Sequence, residues 1–333
     1  MNEVTSLDGL TEIFSQQKST FGKAPYLPYA ERITSLQNLK SLLLDNQQAF
    51  IDVINQDFGH RSPDDTIMGD ILSSVMAINY TLKRLKKWMK PQKKQVSVLF
   101  QPAKAEVLYQ PLGVVGIIVP WNYPLFLALG PLTAALAAGN CAMLKMSEYT
   151  PNTSKLLADL MAKYFSKDHV AIVTGEADMA VAFAKLPFNH LFFTGSSAVG
   201  KLVMKSAADN LVPVTLELGG KSPAIIDNNI DIKMAVSRFI MGKTLNSGQT
   251  CVAPDYIFCP EQKVDELVGV LSNTYRNMFP TITDNNDCSS IINDTHYLRL
   301  RSLLDDAESK GAKIIPLLKE DSDNKQRKMP LTL

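Results

Sequence analysis

The stretch LNSGQTCVAPDYIFC, residues 245–259, holds two cysteines in unlike settings. Cys259 closes the apolar run Tyr256-Ile257-Phe258, where a sulfur packs as a small hydrophobe. Cys251 follows Asn246, Ser247, Gly248, Gln249 and Thr250, residues that favour a turn. A thiol in such a loop is either a bystander or a nucleophile. A free thiol of pKa ~8.5 is only about 3% ionised at pH 7, so a nucleophilic Cys251 needs local donors or a base. The loop can supply donors, and Glu217 is the candidate base. TLELGGKSP (215–223) places Glu217 in the middle of an apolar strand, where burial is expected to raise its pKa towards neutrality. The alternatives are a glutamate satisfied by backbone donors or one facing solvent. Gly219 and Gly220, directly after it, suggest a close backbone approach.

Three further stretches carry residues with a chemical use. In VPWNYP (119–124), the Asn122 amide follows a buried strand and could donate to a developing oxyanion; otherwise it is a cap or turn residue. In CAMLKMSEYTPNTS (141–154), Lys145 and Glu148 follow another strand. A carboxylate there can accept both hydroxyls of an adenosine ribose, and a lysine can bond a ribose oxygen or phosphate. The alternative is a surface turn in which Ser147 or Thr150 caps the next helix. In HLFFTGSSAVGK (190–201), Gly195 and Gly200 bracket a helix start with Ser196 and Ser197 between them, an arrangement that can set backbone N–H groups against a phosphate. The spacing is Gly-x-x-x-x-Gly without the Lys-Ser/Thr of a P-loop, and it equally describes a tight strand–helix turn.

The elements that must position these residues are legible as alternation. Apolar runs 114–120, 141–146, 170–175, 190–195 and 213–218 read as strands, separated by helix-like stretches 124–138, 151–165, 177–186 and 197–209. This predicts a doubly wound parallel sheet, Rossmann-like, whose ligands collect at the carboxyl ends of its strands. Upstream, apolar spacing from Ile33 to Ile54 is helical, and one further helix is expected from Ser62 to about Met89. Its basic end, Lys83 to Lys94, reads better as a solvated helix terminus than as a phosphate patch. QVSVLFQPAKAEVLYQP (95–111) reads as a hairpin of two strands suited to subunit contacts. Beyond Gly219 a second α/β unit is expected, with helices near 231–245, 261–277 and 295–310 and a polar tail over 319–333.

Composition narrows the function classes. The 333 residues imply two domains, and 34 Lys+Arg against 33 Asp+Glu leave a net charge of +1, which argues against nucleic-acid or anionic-membrane partners. The apolar stretch 114–138 is interrupted by Pro120, Pro124 and Pro131, so a membrane span is not expected. Four scattered cysteines and four scattered histidines make neither a disulfide framework nor a zinc site, so no metal is expected. Free thiols and an N-terminus without an apolar signal core fit a cytoplasmic setting.

Taken in order, Asn122, Lys145/Glu148, Gly195–Gly200, Glu217-Leu218-Gly219-Gly220 and Gly248-Gln249-Thr250-Cys251 resemble the motifs of the NAD(P)-dependent aldehyde dehydrogenases. The 95 residues from Asn122 to Glu217 and the 34 from Glu217 to Cys251 match that pattern. The likeness runs from about residue 28 onward, and PWNYPLFLALGPLTAALAAGN, KMSEYTP and GQTCVAPDY are most similar in wording to the coniferyl aldehyde dehydrogenase branch. The resemblance implies that Cys251 attacks an aldehyde, that Asn122 and the Cys251 N–H hold the oxyanion, and that Glu217 activates water. It implies cofactor contacts at Trp121, Lys145, Ser147, Glu148, Gly195, Ser196, Gly200, Leu218 and Gly219. NAD is expected over NADP, because Glu148 repels a 2′-phosphate. It also implies an NAD-binding domain at 1–94 and 107–218, a bridging hairpin at 95–106 and a catalytic domain at 219–333, with a homodimer for the full-length form. Family chains continue into a Glu-Ile-Phe-Gly-Pro stretch and further strands, so the catalytic domain is expected to be incomplete by Leu333, with apolar surface exposed and weak or no activity alone. The competing expectations are a coenzyme-A-acylating relative and a non-catalytic derivative of the fold.

Overall fold

The computed structural model describes residues 5–318 and 325–333. They form two compact units: Met1–Gln48 with Gly69–Glu217, and Ala49–Met68 with Leu218–Leu333. The chain begins with α1 (Leu7–Lys23), α2 (Tyr29–Leu44), α3 (Gln47–Phe58) and the short α4 (Pro63–Thr66). Ser6 starts α1 by accepting from the Gly9 N–H at 3.0 Å, and the helix buries Leu10, Phe14 and Gln17.

The single helix expected from Ser62 to Met89 is instead α4, a π-helical turn Ile67–Leu72, and α5 (Ser73–Trp88). Within the π turn, a Cβ on Gly69 would run into the Tyr123 ring, so the glycine lets that ring pack closely. Tyr123 is accordingly a core residue, 6% exposed. The basic end of α5 is solvated, and Arg84 lies over the Tyr80 ring.

The expected hairpin forms with different strands. β1 (Gln92–Lys94) pairs antiparallel with β2 (Ala105–Val107), and residues 95–100 are not a strand but a loop ending in the 3-10 turn Val98–Phe100. Val98, Leu99 and Phe100 are largely exposed.

All five strands of the expected sheet are present: β3 (Val114–Ile118), β4 (Cys141–Lys145), β5 (Val170–Val173), β6 (His190–Gly195) and β7 (Val214–Leu218). Between them run α6 (Phe126–Ala138), α7 (Pro151–Tyr164), α8 (Ala177–Ala184) and α9 (Ser197–Ala208). The spatial order is β5-β4-β3-β6-β7, with the pairings among β3 to β6 parallel. Strand order reverses between β3 and β6, the switch point of a doubly wound sheet. Every residue of β3 and β4 is buried, which explains their unbroken apolar runs. One core joins α1, α8 and α9 to the sheet through Phe14, Met143, Phe183, Leu191 and Phe193. Gly139 ends α6 in a left-handed conformation (φ 88°).

In the second unit β8 (Ser222–Ile225) pairs in parallel with β9 (Pro254–Phe258) through α10 (Ile232–Thr244), followed by α11 (Val264–Met278) and α12 (Asp294–Ser309). Ile232, Val236 and Ile240 of α10 pack with Leu267 and Leu271 of α11 into a second core. Part of the tail expected over 319–333 lies outside the described residues; the rest is not a loose tail. Leu331 accepts from the Leu317 N–H at 2.9 Å, Ile315 and Leu333 exchange backbone bonds, and Lys328 is buried. Among the described residues no helix is long and apolar enough to cross a membrane.

Candidate active site

Parallel strands carry their carboxyl ends to one edge of the first unit's sheet. Trp121 and Asn122 follow β3, Lys145 closes β4 ahead of Ser147 and Glu148, Gly195 closes β6 ahead of Ser196, and Glu217 sits near the end of β7. The segments after β3 and β6 flank the switch point, where a doubly wound sheet binds its ligand, and the Lys145 segment follows the neighbouring β4.

The Lys145 segment is not a surface turn. Lys145 is 1% exposed; its Nζ donates to the Met146 carbonyl at 2.7 Å and stands 3.8 Å from Glu148. Burial pulls its pKa down, against the attraction of Glu148, Glu176 and Asp178. Neither expected cap forms. Thr150 holds the N-cap position of α7 without a capping side-chain bond, and Ser147 Oγ accepts from the Tyr149 N–H at 3.2 Å. Glu148 keeps 29% of its side chain in solvent, beside a cation that cannot leave.

The Gly195–Gly200 turn is a capped helix start. Ser196 Oγ accepts from the Val199 N–H at 3.3 Å, and the Gly200 N–H bonds the Ser196 carbonyl at 2.9 Å. A Cβ on Gly195 would lie 2.6 Å from the Phe193 ring. The first turn of α9 stays exposed, and a helix N-terminus at a switch point favours an anion. These residues fit a dinucleotide: the start of α9 for the pyrophosphate, and Glu148 with Lys145 for a ribose.

Asn122 and Trp121 are half-buried. Asn122 does not cap the next helix, because the N-cap position of α6 is Leu125. The acceptor at that helix start is Asp70 from the π turn, 0% exposed, whose Oδ1 takes the Leu125 and Phe126 N–H groups at 3.0 Å each. Asp70 thereby anchors the downstream end of the segment that carries Asn122.

Glu217 departs from expectation. It is exposed rather than buried, on β7, an edge strand of the sheet. The expected burial is absent. Leu218 ends the same strand and is 37% exposed.

Cys251 lies in the second unit, between α10 and β9, and is exposed. Cys259 is half-buried and packs on the second core, while Cys141 and Cys288 are buried. Asn246 (φ 53°), Ser247 (φ 52°) and Gly248 (φ 77°) form a left-handed run just before it. For the two non-glycine residues this costs about 1–3 kcal/mol each and persists only where surroundings enforce it. They do. Asp65 Oδ2 accepts from the Asn246 N–H at 3.0 Å and from Ser289 Oγ at 2.6 Å. Ser247 Oγ donates to the Ser289 carbonyl. Gln249 Nε2 donates to the Asn246 and Ser290 carbonyls at 3.1 and 2.9 Å, and its Oε1 accepts from the Ile292 N–H at 3.0 Å. Burial raises the Asp65 carboxyl above its usual range, opposed by the Ser289 bond and the nearby Arg61. Of the glycine pair, Gly220 makes the close approach: a Cβ there would lie 2.7 Å from the Cys251 carbonyl oxygen, whereas one on Gly219 would meet open space.

The first unit therefore gathers Asn122, Trp121, Lys145, Ser147, Glu148, Gly195, Ser196, Gly200 and Glu217 along one sheet edge, and the second holds Cys251, Gly219 and Gly220. Sequence reading missed Asp65, Asp70 and Ser289. Asp65 follows Pro63 and Asp64 and looks like any acidic first turn; Asp70 lies in what reads as a regular helix. Among the described residues no cluster of three or more His, Cys, Asp or Glu side chains could hold a metal ion.

Residues 8–330 match the model of the aldehyde dehydrogenase family. A probable coniferyl aldehyde dehydrogenase of Pseudomonas aeruginosa is 51% identical over 327 residues, covering 98% of this chain and 68% of the relative. Among solved structures, the substrate-bound AldH of Staphylococcus aureus superposes with a TM-score of 0.91 at 34% identity, over 97% of this chain and 69% of that one. An aldehyde dehydrogenase of Mycobacterium tuberculosis complexed with NAD+ superposes with a TM-score of 0.88 at 26% identity, over 99% of this chain and 68% of that one. The chain thus spans about two thirds of the length of these relatives. Fold, motif order and these matches agree: the chain belongs to the aldehyde dehydrogenase family, oxidoreductases that act on aldehydes with NAD(P).

Proposed function

We propose that this protein oxidises an aldehyde to its carboxylic acid with NAD, through covalent chemistry at Cys251. The observation that carries the reading is the Cys251 loop: an exposed thiol just after a left-handed run held by Asp65, Ser289 and Gln249. The Cys251 sulfur adds to the carbonyl carbon, and the resulting oxyanion accepts from the Asn122 amide and the Cys251 N–H, each worth about 3 kcal/mol. The bound nicotinamide supplies the hydride acceptor. Loss of hydride re-forms the C=O bond and leaves a thioester on Cys251. Glu217 takes a proton from water, the hydroxide adds to the thioester, and the acid departs as Cys251 recovers its thiolate. Its exposure leaves Glu217 open to water.

Gly195, Ser196 and Gly200 at the start of α9, with Trp121, would hold the pyrophosphate, Lys145, Ser147 and Glu148 the adenine ribose, and Leu218 and Gly219 the nicotinamide half. Glu148 selects NAD over NADP by repulsion of a 2′-phosphate. The units are assigned as cofactor-binding and catalytic. A coniferyl-type or other apolar aldehyde is the proposed substrate, on the likeness to the Pseudomonas relative. The exposed apolar loop of the hairpin supports a homodimer, and four free cysteines support a reducing, cytoplasmic setting.

The test is NADH formation with coniferaldehyde, with and without coenzyme A, for the parent chain and Cys251→Ser. Slow NADH formation with free acid from the parent and none from the variant is expected. Activity surviving in Cys251→Ser overturns the mechanism, and acyl-coenzyme-A as the product favours thiol transfer over hydrolysis.

A further inference from the structure

We propose that Asp65 is a positioning residue for Cys251: with Ser289 and Gln249 it clamps the left-handed run from which the thiol is presented. The proposal rests on the reading of Cys251 as the nucleophile. Three remote segments meet here within one unit, the short helix α4, the loop 246–249 and the segment 289–292. Asp65 gives one oxygen to two donors, the Asn246 N–H at 3.0 Å and Ser289 Oγ at 2.6 Å. Ser289 is held in turn, because its Oγ accepts from the Ser62 N–H at 3.0 Å. Gln249 uses both ends of its amide, bonding the Asn246 and Ser290 carbonyls and the Ile292 N–H. Asn246, Ser289 and Ser290 are no more than 1% exposed, so water cannot replace these bonds.

The direction of control follows from the backbone. Left to itself, a run of Asn and Ser relaxes out of the left-handed region. Relaxation at Asn246 or Ser247 re-aims every peptide up to Cys251. The amides that can stabilise a thiolate or an oxyanion belong to that same backbone. Asp65 thus acts through the loop rather than by touching a substrate. A carboxylate suits the task because it only accepts; the amide introduced by Asp65→Asn could still offer one oxygen to the same two donors.

The test is the pH dependence of iodoacetamide labelling at Cys251, resolved by peptide mass spectrometry, in the parent chain, Asp65→Ala and Asp65→Asn, with Cys259 as internal reference. Asp65→Ala is expected to slow Cys251 labelling at neutral pH by about fivefold and move its midpoint upward, leave Cys259 unchanged, and be largely rescued by Asp65→Asn. Where oxidation is measurable, kcat falls while the KM for NAD is kept. Labelling of Asp65→Ala within about twofold of the parent at an unchanged midpoint overturns the proposal. If Asp65→Ala does not fold, Ser289→Ala takes its place: it removes one donor and keeps the Asn246 bond, and the same two outcomes apply on a smaller scale. Oxidation surviving in Cys251→Ser would sink the nucleophile reading alone, because the labelling result does not depend on turnover.

Discussion

Glu148, Cys141 and Gly220 tie physical setting to behaviour. Glu148 stands 3.8 Å from a lysine whose Nζ is committed to the Met146 carbonyl. Replacing Glu148 with Gln removes the repulsion and leaves the cation, so kcat/KM for NADP relative to NAD should rise about tenfold, ~1.4 kcal/mol, in steady-state kinetics. An unchanged ratio would remove Glu148 from the ribose site. Cys141 supplies a contrast with Cys251. Burial, helped by Asp168, pushes the Cys141 thiol up to about 11 from 9.0. Folding therefore favours its protonated form; that stabilising contribution is present below pH 9.0 and is lost as pH rises through about 11. Labelling between pH 7 and 9 should accordingly mark Cys251 and leave Cys141 untouched, which differential alkylation reads directly. Gly220 supplies the steric case. A methyl group 2.7 Å from the Cys251 carbonyl oxygen has no room, so Gly220→Ala should displace the loop. A loss of ~1–3 kcal/mol in urea unfolding with slower Cys251 labelling is expected, and a variant matching the parent in both would show that the loop yields freely.

The elements explain why these residues stay where they are. The π turn Ile67–Leu72 breaks what reads as one long helix, and in doing so performs two tasks. Gly69 admits the Tyr123 ring, and Asp70 receives the first free N–H groups of α6. Asp70→Ala leaves both donors without that acceptor, the Leu125 N–H in a buried setting, and should cost ~2 kcal/mol, with Asp70→Asn costing less. Equal chemical-denaturation midpoints for Asp70→Ala and the parent would refute this. Glu217 makes the same point. Apolar neighbours in sequence suggest burial, yet it is exposed on β7 at the edge of the sheet. Whether a strand's face is covered depends on packing that local sequence does not encode.

At the scale of the whole chain, the hairpin loop exposes Val98 at 81%, Leu99 at 86% and Phe100 at 68%. Three adjacent apolar side chains in water are costly and suit an interface. If the proposed homodimer uses this loop, Leu99→Glu should lower the sedimenting mass in sedimentation velocity, and an unaltered mass distribution would remove the loop as its interface. The doubly wound sheet, its carboxyl edge, the order of the motifs and the family were all legible in the sequence. Periodicity, turn chemistry and motif spacing are local or linear properties, and residues 114–218 express them almost without exception. The tertiary structure alone decided which residues hold those motifs in place. Asp65, Ser289 and Asp70 each act across 55 residues or more, on backbone groups whose need for a partner appears only once the chain has folded. An unsatisfied N–H leaves no trace in a sequence, so the residue that answers it cannot be recognised until the two are brought together.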